Sequence, residues 1–160
     1  MRTHTHWVAS DHESLWTMLL AFAGWISLAL REELAFRGYP SFRLESAWGI
    51  STALAVIAVL FTLEHAAGGW HWSRVVLGPP VGALLFGLAA FRTRGLAVPL
   101  GIHSAFNFCQ WFMGQKEGLA GPFRAVVDAG HESQTESVGY ATYVAGILIA
   151  AFIFCLSRKR

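Results

Sequence analysis

The chain has 160 residues, 54% of them hydrophobic and 14% charged, with a mean hydropathy of +0.45 and a net charge of +2. A soluble domain has about a quarter of its residues charged, and a disordered chain needs low hydrophobicity with high net charge, so both classes are excluded. Nucleic acid is excluded as a partner, because the twelve Lys and Arg are scattered or flank apolar runs and line no common face. Cys109 and Cys155 lie inside apolar runs and read as small core residues, leaving neither a disulfide framework nor a Cys-type zinc site.

Five runs contain no Asp, Glu, Lys or Arg: Ser14 to Leu30, Ser46 to Leu63, Val75 to Phe91, Gly95 to Gln115 and Ser137 to Ser157. A bilayer core of about 30 Å takes roughly 17–25 helical residues, so each run can span it. The expected fold is therefore all-α, a polytopic membrane helix bundle of about five transmembrane helices. Residues 1–13 form a flank and 14–160 a single membrane-embedded domain. The first run is a mature helix and not a signal peptide, since its flank carries His4, His6, Asp11, His12 and Glu13 where a signal peptide wants positive charge. The flanking histidines read as part of a polar, flexible terminus.

Gly38-Tyr39-Pro40 is a candidate helix break. Gly78-Pro79-Pro80 reads either as a bend or as a helix entry with proline in its first turn. Trp70-His71-Trp72 reads as an interfacial anchor, with Trp7, Trp16 and Trp48 in the same part. The basic connector Arg92-Thr93-Arg94 and the terminal Arg158-Lys159-Arg160 are separated by two spans and share a side. The positive-inside rule makes that side cytoplasmic. The C-terminus is then cytoplasmic, the N-terminus and the polar stretch from Lys116 to Glu136 lie outside, and the protein is integral to a membrane, the plasma membrane on this reading.

A charge at bilayer depth costs about 2.5–3.5 kcal/mol on insertion scales. Polar groups inside these spans therefore need a reason. They fall into Arg31-Glu32-Glu33 with Arg37, Glu64-His65, and His103 with Asn107. Glu33 and Arg37 are four apart on a helix and form an ion pair in the favourable order. Glu32 is rotated by about 100° from Glu33 and stays available for chemistry. His103 and Asn107 share a face. Singly, each cluster also reads as an interfacial helix end or a satisfied histidine. Together they supply the base, orienting partner and oxyanion donors of a water-activating site.

Three motifs in order, Glu32-Glu33-x-x-x-Arg37, Phe61-x-x-x-His65 and His103-x-x-x-Asn107, carry a family resemblance, with Arg92-Thr93 and Pro99 ahead of the last histidine. The chain resembles the CPBP family of intramembrane proteases, which covers type II CAAX prenyl endopeptidases and bacteriocin-processing or immunity proteins. The similarity covers about residues 30–108. Members usually carry more spans, so a short or truncated member is expected, and Glu64 beside His65 is an unusual second carboxylate that could compete as base.

The resemblance implies an intramembrane endopeptidase that hydrolyses a peptide bond of a membrane-associated, CAAX-type substrate. Carried over by position, Glu32 and His65 activate the water, His103 and Asn107 stabilise the oxyanion, Glu33 and Arg37 support the geometry, and Phe61 packs the pocket wall. The favoured reading needs no cofactor. Glu32, His65 and His103 also make a His₂Glu set that suits a catalytic zinc, although the soluble H-E-x-x-H signature is absent. If the first helix runs on to Phe42, Glu32 lies roughly 15 Å from a turn at 43–46, and His65 falls nearer the opposite face. The rival readings are a non-catalytic immunity or scaffold protein of the same fold and a small transporter; the transporter lacks an evident inverted repeat.

Overall fold

The computed structural model describes residues 4–10, 14–116 and 119–156 and is mostly helical. Helix α1 (Leu15–Glu32) starts at Ser14, whose Oγ accepts from the Thr17 amide at 3.1 Å. That bond satisfies one of the orphan donors every helix start leaves behind. The chain then passes without a loop through a π-helical turn, Glu33–Arg37, into α2 (Tyr39–Ala67).

The breaks in this segment fall at glycines. Gly38 takes a non-helical ψ of −121°, and Gly49, at φ 82° and ψ 167°, splits α2 into two arms. The positive φ at Gly49 is cheap only without a Cβ. The turn expected at 43–46 is therefore absent, and those residues are helical. Helix α3 (Trp72–Thr93) runs through Pro79 and Pro80 in its interior, which rules out the first-turn reading. Helix α4 (Ala97–Phe112) carries Pro99 in its first turn, where no backbone donor is needed. Helix α5 (Glu132–Leu156) closes the described chain.

Among the described residues, three stretches are long and apolar enough to cross a membrane: Leu15–Ala67, Trp72–Thr93 and Glu132–Leu156. The count falls below the five runs for two physical reasons. The first two runs are joined through the π-turn, and the 16 residues of α4 span only about 24 Å.

Residues 4–10, ahead of α1, are not a loose tail. Strand β1 (Thr5–Ala9) pairs antiparallel with β2 (Phe123–Val127), Thr5 opposite Val127 and Ala9 opposite Phe123. His4 stacks on His131 at 3.6 Å between ring centroids, and its Nδ1 lies 3.3 Å from Asp128 Oδ2. His12 lies outside the described residues.

The core is thin and built on small residues. Ala53, Ala83, Ala89 and Ala90 are buried where α2, α3 and their neighbours meet, as close helix approach in lipid requires. Ala58, Phe61 and Ala83 form one cluster, and Leu85, Phe86 and Ile147 another. Helix α5 buries only Ile147 fully and is fastened by the Tyr143 hydroxyl, which donates to the Gly78 carbonyl at 2.8 Å. Large apolar side chains such as Leu20, Val59, Val76 and Phe152 are exposed, an arrangement stable only against lipid. Cys109 and Cys155 are on this outward surface and not in the core, because the runs that hold them turn only one face inward.

Candidate active site

The π-turn sets the site. Its looser winding brings consecutive carboxylates and Arg37 inward, and Glu32, Glu33 and Arg37 are all buried. Arg37 Nη1 donates to Glu33 Oε1 at 3.3 Å, both side chains fully shielded from solvent. The guanidinium lies over the Phe61 ring at 4.3 Å, with Phe86 at 5.4 Å and Phe36 at 5.8 Å. This aromatic box replaces part of the hydration that a buried cation loses.

From α4, His103 completes the buried set. Its Nδ1 is 2.8 Å from Glu33 Oε1, its Nε2 is 3.6 Å from Glu32 Oε2, and its ring stacks on Phe86 at 4.4 Å. Glu33 thus serves Arg37 and His103 together. Glu32 meets His103 beyond direct hydrogen-bond reach, at a spacing that a water can bridge.

His65 arrives from α2. Its Nδ1 faces the Phe61 carbonyl at 2.9 Å and Glu64 Oε2 at 3.0 Å, and Trp70 stands edge-on to the ring at 4.7 Å. The Glu32, Glu64 and His65 ligand atoms lie within 4.8 Å of one another. Glu32 and His65 are therefore neighbours despite the depth mismatch, because α1 and α2 join through Gly38 and α2 bends at Gly49. Arg31 Nη2 donates to Glu32 Oε1 and Glu64 Oε1, both at 3.1 Å, and spans the two carboxylates.

Asn107 lies one turn after His103 and is buried with it. Its Oδ1 accepts from Lys116 Nζ at 2.9 Å. Burial lowers the Lys116 pKa to about 8, against the field of Glu32, which raises it. The structure sets Glu32 beside His65 and beside His103, Glu33 between Arg37 and His103, and Phe61 against Arg37, while Asn107 follows His103 by one turn and contacts Lys116.

Sequence reasoning missed Lys116, read as the start of a polar connector, and Trp70, read only as an interfacial anchor. A cation directly after an apolar run was the available signal for Lys116.

The donor types fit a zinc as well as a metal-free base. Both imidazoles have Nδ1 engaged by a carbonyl or carboxylate, which orients a metal-ligating histidine, and among the described residues Glu32, Glu64 and His65 bring ligand atoms close enough to share an ion. Arg31 already supplies positive charge between Glu32 and Glu64.

No individual curated protein and no solved structure matches the chain. A family profile does, over residues 14–109, that of Type II CAAX prenyl endopeptidase Rce1-like proteins. This region holds the π-turn, the α2 histidine and the α4 His-Asn pair, and with it the chain belongs to the Rce1-like type II CAAX prenyl endopeptidase family.

Proposed function

We propose that the protein is an intramembrane endopeptidase that cleaves a membrane-associated, CAAX-type substrate with a water activated by Glu32 and His65. The placement of Glu32 beside both His65 and His103, with Asn107 one turn after His103, carries this reading.

Hydrogen-bond partners support the division of roles. With Nδ1–H given to the Phe61 carbonyl, neutral His65 presents a lone pair at Nε2 and can take a proton from water, next to Glu32. His103 has Nδ1 held by Glu33, and as an imidazolium it offers Nε2–H to the developing oxyanion. Asn107 supplies a second donor. The water oxygen bonds to the scissile carbon as one water proton passes to the Glu32–His65 pair, the carbon–nitrogen bond then breaks, and that proton goes to the departing amine. Phe61 forms the pocket wall.

Arg31 bridging two carboxylates favours the metal-free form. A zinc would be held by Glu32 and His65 with His103 or Glu64, and would supply a water of lowered pKa.

The same reading has five crossings within a single domain over 14–160. The β1–β2 pairing, which sets the residues before α1 beside those between α4 and α5, supports an even number of crossings over α1 to α4. Arg92 Nη2 meets the Cys155 carbonyl at 2.8 Å, which joins the ends of α3 and α5 on the other side. Arg92 and Arg94 make that side cytoplasmic and the ribbon external. The membrane is the plasma membrane.

The test is cleavage of quenched peptides, prenylated and plain, by detergent-purified protein. Glu32→Ala and His103→Ala are each expected to lower the rate by about 100-fold or more. A zinc chelator leaves the metal-free enzyme active. Folded wild type that cleaves nothing, or variants that cleave as well as wild type, would move the assignment to a non-catalytic scaffold.

A further inference from the structure

We propose that Lys116 is a positioning residue of this hydrolysis, holding the Asn107 side-chain oxygen so that the Asn107 Nδ2 hydrogens face the reacting carbonyl. The inference rests on the endopeptidase reading and deepens it. An ammonium has donors and no acceptor. At 2.9 Å from the Asn107 amide, Lys116 Nζ can therefore meet only Oδ1, which leaves the NH₂ group directed away from the ammonium. Without that cation the amide could flip and present an acceptor to the oxyanion, which would repel it.

The local chain is built to bring this lysine back. Helix α4 ends at Phe112, and Gly114 takes a left-handed φ of 68°. The Gln115 amide then donates to the Gln110 carbonyl at 2.8 Å, folding the connector over the last turn of α4. Trp111 Nε1 fastens the returning strand through the Ala120 carbonyl at 2.8 Å. Lys116 Nζ then sits 5.1 Å from the Trp25 ring and 5.8 Å from the Trp70 ring. A lysine at a span end ordinarily extends its flexible stem to water; this one is drawn inward between two indoles to an amide oxygen.

Cleavage kinetics and thermal midpoints of wild type, Lys116→Met, Lys116→Arg, Asn107→Ala and the Lys116→Met/Asn107→Ala double variant test the role. Lys116→Met is expected to lower kcat by about 10- to 100-fold with KM within about twofold, the cost of misplacing a donor. Lys116→Arg, which keeps a charged donor, returns kcat to within about threefold of wild type. The double variant is no slower than Asn107→Ala, because the lysine acts through the asparagine. A rise in KM at constant kcat overturns the proposal in favour of direct substrate contact. Multiplying effects in the double variant overturn it as well. Wild type that cleaves nothing while the thermal midpoints show Lys116–Asn107 coupling refutes the endopeptidase reading, and the positioning role with it. Normal cleavage without coupling refutes the role alone.

Discussion

Removing Arg37 should expose how the site is held together. The Glu33–Arg37 pair is fully shielded, and breaking a buried pair by deleting one partner costs about 3–5 kcal/mol, since the other charge stays buried. Two features of this pair pull the value to the lower end. His103 remains 2.8 Å from Glu33 as an alternative partner. Arg37 Nε and Nη2 have no acceptor, so their desolvation penalty disappears with the side chain. We expect about 3 kcal/mol for Arg37→Met, which keeps an apolar stem for the Phe61 face. At about 2–4 °C per kcal/mol for a chain of this size, the thermal midpoint falls by about 6–12 °C.

Glu33→Gln, which strands the guanidinium, should lose a similar amount. The double variant Glu33→Gln/Arg37→Met buries no member of the pair as an uncompensated charge and should be no less stable than either single variant. Tryptophan-fluorescence melting of the four proteins in one detergent reads this cycle. If the single losses simply add in the double variant, no coupling exists and the account of the buried pair is wrong.

Two further outcomes follow from individual groups. The Lys116 pKa is lowered in the folded protein from 10.5 to about 8 by burial, so between about pH 8 and 10.5 the unfolded chain binds more protons, and folded stability rises with pH across that window. The wild-type midpoint should therefore climb relative to Lys116→Met from about pH 8 upward, and a difference independent of pH sinks the assignment. Gly38→Ala would place a Cβ 2.5 Å from the Leu34 carbonyl oxygen, within the π-turn that presents Glu33 and Arg37. It should destabilise by about 1–3 kcal/mol and depress cleavage, whereas Gly139→Ala on α5 meets nothing within 4 Å and should be neutral. Equal melting of the two variants would contradict the close packing at Gly38.

Helix positions and the polar clusters were legible in the chain because lipid imposes a simple rule: long apolar runs must be helical, and a charge within them must have a partner. Arg37 relative to Glu33, and Asn107 relative to His103, could be placed by spacing alone, since the i to i+4 relation is a property of the helix itself. Residues whose meaning depends on a distant partner could not. Thr5–Ala9 becomes a strand only because Phe123–Val127 lies beside it, and five residues are too few for a period to announce themselves. The π-turn and the Gly49 bend alter how far the helices travel, so the depth of His65 relative to Glu32 could not be counted along the sequence. Arg31 reaching Glu64, and Lys116 folding back on Asn107, join residues through the packing of separate helices and a connector. Local hydropathy and helical spacing decide which residues enter the membrane and which share a face. Which polar group meets which is decided by long-range packing, because desolvated charges are stable only where the assembled bundle brings their partners within hydrogen-bond distance.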